Sequence, residues 1–394
     1  MRIFISTGEV SGDLQGAMLI KSLYQIAATT DIELEIAALG GERMKAAGAN
    51  ILADTAAIGS VGLLEALPFV IPTLKIQYQT QKYLRQYPPD VLVLIDYPAA
   101  NLAIASYVKK HLPNIVIIYY IAPQDWAVPK LNNAPKITRV VDKLLAIFPA
   151  EAEYFQNHNI DVTWVGHPLL DRIENSPSRT SARSILELKP EQLIVTLLPA
   201  SRRQELQYLL PVICQAAQKI QTQLPNIHFL IPVSLESYRV EITAAVAQYN
   251  LSATILNGKQ TIEAIASADL AIAKSGTVNL EVALLNIPQI VVYRVHPFTA
   301  WVARKILGLD IPLMSPPNLI VKGEIVPEFK QEAVTVDNIT NCALKLLQDE
   351  NQRQQIVTDY QQMRSLLGTT GVCDRAAREI IKAGNSPLPL HKLF

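Results

Sequence analysis

Asp96 closes the run LVLIDYP, where an apolar, strand-like segment gives way to a proline. An Asp at the carboxyl end of a buried parallel strand stands where such sheets bind ligands, and a carboxylate there can take a proton from an attacking hydroxyl. The same residue could instead cap the helix that follows. In STGEVSGDLQG (6–16), Gly8, Gly12 and Gly16 permit a tight turn and a close backbone approach. The spacing is G-x3-G-x3-G rather than GxGxxG, and Glu9 and Asp13 within it would repel a pyrophosphate. A sugar or acceptor contact therefore fits this turn better than a dinucleotide, with Ser11 or Asp13 as a helix cap the plainer alternative.

Two further turns suit phosphate. In LLPASRRQE (197–205), Ser201 and Arg202 follow a strand just where a helix should begin, and free amides plus a guanidinium can hold a diphosphate. In KSGTVNLE (274–281), Ser275, Gly276 and Thr277 offer small hydroxyls and amides at another helix start, and Glu281 could accept hydrogen bonds from ribose hydroxyls. Either turn alone is weak, because helix starts commonly combine small and acidic residues. Two in one half of the chain point to a nucleotide there.

Other chemistries find little support. The six histidines, at 111, 158, 167, 228, 296 and 391, show no metal-ligand spacing, so no metal and no cofactor are expected. His167, in VGHP, reads as a hydrogen-bonded histidine between domains. No serine sits in GxSxG. Cys214, Cys342 and Cys373 are odd in number and scattered, which suggests neither a disulfide frame nor zinc and favours a reducing compartment. The 35 basic residues balance 35 acidic ones, against the basic excess of a nucleic-acid binder. No signal peptide and no membrane-spanning window are expected. The segment 58–74, apolar with only Glu65 charged, reads as a buried helix, or as a membrane-surface patch if exposed.

Elements that could position these residues recur along the chain. Continuous apolar runs at 2–6, 34–39, 91–96, 115–121 and 143–148 suit parallel strands buried on both faces, with helical patterns such as 14–27 and 76–87 between them. The pattern restarts with strands at 193–199, 227–232, 253–256, 270–273 and 289–293, separated by helices near 203–224, 235–249, 260–267 and 276–286. The stretch 167–192 reads as linker plus one short helix, and helices at 337–349, 351–367 and 372–382 close the chain. The expected fold is α/β, two Rossmann-like domains with a ligand cleft at the carboxyl ends of the strands. Their boundaries fall at 1–168 and 169–350, with C-terminal helices over 351–394 that pack back or are exchanged in a dimer.

In this order, GEVSGDLQG (8–16), IGSVGLLEALP (58–68), LIDYP (94–98), Trp126 in APQDW, VGHPLLD (165–171), LLPASRRQE, KSGTVNLE, YRVHPFTAWVARK (293–305) and PPNLIVKGEIVPEF (316–329) together resemble the lipid-A-disaccharide synthase family. The resemblance implies a GT-B glycosyltransferase that forms a β-1′,6 linkage from UDP-2,3-diacylglucosamine and 2,3-diacylglucosamine 1-phosphate, with release of UDP. The N-terminal domain would take the lipid acceptor, with Gly8, Glu9, Ser11, Gly12, Asp13 and Trp126 among its contacts and Asp96 as the general base of an inverting displacement. The C-terminal domain would hold UDP through Ser201, Arg202, Ser275, Gly276, Thr277 and Glu281, with Asn318 lining the donor site and Arg294 neutralising phosphate. A homodimer, peripheral on the cytoplasmic face of the inner membrane, is implied as well. The chain departs from the family pattern at Ala99, Asp125, Val128 and Ala200, around the proposed acceptor and phosphate contacts. A UDP-sugar enzyme with another acceptor, or a silent glycolipid-binding paralogue, are the competing expectations.

Overall fold

The computed structural model describes residues 1–55, 69–127, 133–305 and 312–385. They form two compact units, one of residues 1–55, 69–127, 133–171 and 367–385, the other of residues 172–305 and 312–366. The chain thus changes unit at 171/172 and returns at 366/367, whereas the sequence reading placed the boundaries at 168/169 and 350/351.

The first unit is built on seven strands: β1 (Arg2–Ser6), β2 (Glu35–Gly40), β3 (Asn50–Asp54), β4 (Val91–Ile95), β5 (Val116–Tyr120), β6 (Lys143–Ala146) and β7 (Val162–Trp164). They pair in the order β3-β2-β1-β4-β5-β6-β7, all parallel. The VLVLI run of β4 is buried at every position because helices cover both faces of a parallel sheet. The order reverses between β1 and β4, so the β1 turn and Asp96 leave adjacent strands at the switch point, the place where doubly wound sheets bind ligands.

The second unit repeats the plan with β8 (Leu193–Leu198), β9 (Ile227–Val233), β10 (Ala253–Asn257), β11 (Leu270–Lys274), β12 (Gln289–Tyr293) and β13 (Glu328–Lys330), in the order β10-β9-β8-β11-β12-β13. These pairs are parallel too. Here the switch point lies between β8 and β11, whose exits carry the two turns expected to hold phosphate.

The helix expected over 203–224 is two, Arg203–Tyr208 and Leu210–Gln223, because Pro211 can start a helix but cannot continue one. The linker at 167–192 contains two short helices, Leu169–Glu174 and Arg179–Ile185. Arg179 and Arg183 of the second both pair with Asp269, binding this segment to the β11 side of the sheet. The final helix, Val372–Asn385, lies against helix Val10–Thr29 of the first unit of its own chain. Its free amides are met from 200 residues upstream, since the Asp171 carboxylate accepts from the N–H groups of Gly371, Val372 and Cys373 at 2.7, 3.1 and 2.8 Å.

Candidate functional site

The β1 exit is crowded. A side chain at Gly8 would strike the Tyr97 ring, and one at Gly12 would strike Thr7 Oγ1, so glycine is required here by close approach rather than by a left-handed backbone. Glu9 and Ser11 are half-buried at the start of helix Val10–Thr29, which receives no side-chain cap. Asp13 has a different task. It is buried, and its carboxylate accepts from the amides of Gly41, Arg43 and Met44 at 2.8, 3.2 and 3.1 Å, capping helix Glu42–Ala46. Neither cap expected for the first helix forms, and the lone pairs of Asp13 serve the fold.

Asp96 and Tyr97 both take left-handed backbone angles, φ +48° and +46°. Residues without special freedom adopt these angles at a cost of about 1–3 kcal/mol, so the surroundings must enforce them. Asn101, fully buried one helical turn on, does so. Its Nδ2 donates to the Asp96 carbonyl at 2.6 Å while its Oδ1 accepts from Ser6 Oγ at 2.7 Å. The phenol of Tyr119 donates to the same carbonyl at 2.9 Å. Burial first, then the charge of Asp96, holds that phenol well above its usual pKa, so it remains a donor. Pro98 begins the next helix, at whose N-cap Tyr97 stands. The left-handed turn therefore presents a half-buried carboxylate at the carboxyl end of β4, beside a narrow cavity lined by Thr7, Thr55, Thr73, Tyr97 and Asn101.

Trp126 leans on the Phe148 ring, centroids 5.4 Å apart, and Phe148 on His167, 5.2 Å apart. His167 is buried within the first unit and its Nδ1 accepts from the Leu169 amide at 3.2 Å. Burial drives its pKa down to about 3, so the ring is neutral. Two carboxylates hold the loop that carries Trp126. Asp125 caps helix Ala134–Val140 through the amides of Asn133 and Ala134, and it also accepts from Asn133 Nδ2 at 2.9 Å. Glu151 accepts from the amides of Ala122, Ile147 and Phe148. Burial pushes its carboxyl up to about 8 against the pull of those three amides. The departure from the family pattern at Asp125 thus has a structural reason, while Val128 lies outside the described residues.

In the second unit, the β8 exit encloses a carboxylate of its own chain. Glu205 Oε2 accepts from the amides of Ser201 and Arg202 at 2.6 and 3.0 Å, and Oε1 pairs with the Arg202 guanidinium at 3.1 Å. The amides expected to face phosphate are therefore taken by Glu205. Burial raises its pKa, but Lys274, Arg202 and the two amides outweigh that and leave it below the usual range. The helices at the two turns have only six and seven residues, Arg203–Tyr208 and Val278–Leu284, so side-chain cations must do most of the work for an anion. Arg202, Glu205, Lys274, Tyr293 and Arg294 line one cavity. Arg294 also donates to the carbonyls of Gln331 and Val334.

At the β11 exit, Ser275 Oγ donates to the Met314 carbonyl at 3.0 Å and the Gly276 amide to Asn279 Oδ1 at 2.7 Å. Thr277 sits at the start of helix Val278–Leu284. Glu281 is buried beside Arg172, its Oε1 2.7 Å from Arg172 Nε. The N–H is misaligned for a hydrogen bond, so this contact is an ion pair without directional bonding. Asn318 is fully buried, donating to the Val326 carbonyl and Glu328 and accepting from the amides of Ile325 and Val326, which makes it a brace of its loop.

Sequence reasoning missed Asn101, Glu205, Lys274 and Asn279. Asn101 carried a usable signal, an amide one turn into the helix after a strand-ending Asp-Tyr-Pro. Lys274 carried another, a cation ending an otherwise apolar strand. Asn279 bonds back to the Lys274 carbonyl five residues upstream and to Gln289 ten residues on, at the start of β12.

Two doubly wound parallel sheets in tandem are the GT-B architecture. The UDP-GlcNAc 2-epimerase of Neisseria meningitidis, solved with UDP-GlcNAc, superposes with a TM-score of 0.67 at 11% identity, over 97% of this chain and all of that one. A solved glycosyltransferase of kitacinnamycin does so at 0.58 and 13%, over 97% and 98%. At such identities the likeness is one of fold. The sequence comparisons go further. A family model for lipid-A-disaccharide synthetase matches residues 3–382. The chain is 53% identical over 382 residues to the lipid-A-disaccharide synthase of Gloeothece citriformis, covering 97% of this chain and 99% of that one. It is 54% identical over 387 residues to that of Synechocystis, covering 98% of each. The protein is a glycosyltransferase, and it belongs to the lipid-A-disaccharide synthase family.

Proposed function

We propose that the protein makes the lipid A disaccharide, joining UDP-2,3-diacylglucosamine to the 6-hydroxyl of 2,3-diacylglucosamine 1-phosphate. The observation that carries the reading is Asp96, turned out of β4 in a left-handed conformation that Asn101 and Tyr119 enforce. Its carboxylate takes the proton of the acceptor hydroxyl as that oxygen bonds to the anomeric carbon of the donor. The bond from that carbon to the diphosphate breaks with inversion, and UDP leaves carrying the electron pair. Backbone strain held at a reacting group by buried hydrogen bonds is a form of pre-organisation. Gly8, Glu9, Ser11, Gly12 and Trp126 contribute to the acceptor side. Ser201, Arg202, Ser275, Gly276, Thr277 and Arg294 serve the UDP side, Glu281 accepts from the ribose, and Asn318 supports that side from behind.

The same reading includes attachment to a membrane surface. The described part of the 58–74 segment begins helix Val70–Gln86, and it is not the buried helix expected. Val70, Ile71, Leu74 and Tyr78 are 46%, 78%, 58% and 71% exposed. Ile71, Leu74 and Tyr78 share a helix face with Lys75, Lys82 and Arg85. Apolar side chains with cations on the same face suit a lipid surface bearing anionic headgroups.

The test is UDP release by the purified protein given the donor with and without the acceptor. Release that requires the acceptor, with a disaccharide product, is expected. UDP binding without acceptor-dependent release would move the enzyme to another acceptor, and no binding at all would leave a silent relative.

A further inference from the structure

The last residue of β11 is an anomaly. The strand reads LAIA and then Lys274, whose ammonium is carried almost wholly inside the protein, the residue being 7% exposed. Burying an ammonium is costly unless the fold compensates it closely. Among its partners is Glu205, with Nζ 3.9 Å from Oε1, an ion-pair distance but too long for a hydrogen bond. Glu205 is bound more closely by the Ser201 and Arg202 amides and the Arg202 guanidinium. The Lys274–Glu205 contact is thus poor as a stabilising salt bridge.

The position of the ammonium suggests another role. A side chain at Gly276 would collide with Lys274 Nζ, so the lysine folds back over the Ser275–Thr277 turn in space that only a glycine leaves open. It also lines the cavity that holds Arg202, Glu205, Tyr293 and Arg294. That wall carries three cations against one carboxylate, an excess of two positive charges, which complements the diphosphate of a nucleoside diphosphate.

We propose that Lys274 binds the donor's diphosphate, with Glu205 as the counter-ion it shares with Arg202 until the donor takes over. The inference rests on the reading that the second unit binds UDP, and it adds a residue and an ion exchange to it. Glu205 already faces both cations across the turn, so little reorganisation is needed when the anion arrives.

The experiment compares UDP with uridine, which lacks the diphosphate, on the full-length wild type, Lys274→Met and Lys274→Arg, by calorimetry for UDP and NMR titration for uridine. Lys274→Met is expected to weaken UDP about tenfold or more while leaving uridine affinity unchanged, and Lys274→Arg to retain most of the UDP affinity. UDP affinity unchanged in Lys274→Met would overturn the proposal. An equal loss for UDP and uridine would overturn it too, because a lysine that only shapes the fold affects both ligands alike. Wild-type protein that binds no UDP would instead overturn the nucleotide reading itself, and this inference with it.

Discussion

Asn101 donates from its side-chain amide to the main-chain carbonyl of Asp96 at 2.6 Å, and this bond sets the direction in which the Asp96 carboxylate leaves β4. Asn101→Ala removes that bond and leaves Ser6 Oγ without its buried acceptor. Stability should fall by about 1–3 kcal/mol in urea unfolding. Turnover should fall as well while UDP affinity holds, because the proposed donor contacts belong to the second unit. Wild-type turnover in a folded Asn101→Ala protein would show that Asp96 needs no such support.

The final helix depends on a cap supplied from far upstream. Asp171→Ala leaves the amides of Gly371, Val372 and Cys373 without their acceptor, at a cost of about 0.5–2 kcal/mol. Hydrogen exchange should quicken over residues 372–385 and stay unchanged in β11. Unaltered exchange at the C-terminus would mean that packing against helix Val10–Thr29 suffices.

His167 gives stability a dependence on pH. Its pKa is about 3 in the folded protein against 6.5 for a free histidine, so below 6.5 the unfolded chain takes up a proton that the folded one refuses. Its contribution is intact above 6.5 and is lost as pH falls toward 3, at up to about 1.4 kcal/mol per pH unit. Urea midpoints at pH 7.5 and 5.5 should differ less in His167→Gln than in the wild type. Equal differences in the two proteins would place the pH dependence elsewhere.

Much of the fold was legible because parallel strands buried on both faces read as continuous apolar runs, and all ten expected strands are present. The three missed, β3, β7 and β13, lie at or near sheet edges, where half-exposed positions and lengths of three to five residues erase that signature. In the candidate site, the positions of Asp96, Ser201 and Ser275 at strand exits followed from the sequence. Their partners did not. Asp13 and Asp171 cap helices other than those they begin, and Glu205 fills the turn expected to await phosphate, because hydrogen bonds across a fold leave no spacing to read.

Membrane attachment should depend on the exposed helix face. Ile71→Ser with Leu74→Ser should reduce cosedimentation with vesicles containing anionic lipid severalfold, and raised salt should weaken wild-type binding through Lys75, Lys82 and Arg85. Equal binding by wild type and double variant would remove this face from the account.

The central claim is that Asp96 is the base, and Asp96→Asn tests it most directly, since the amide keeps the shape and cannot take the proton. Acceptor-dependent UDP release should fall by about 10²- to 10⁴-fold while UDP binds as tightly as to the wild type. Turnover close to the wild-type rate in that variant would contradict the claim.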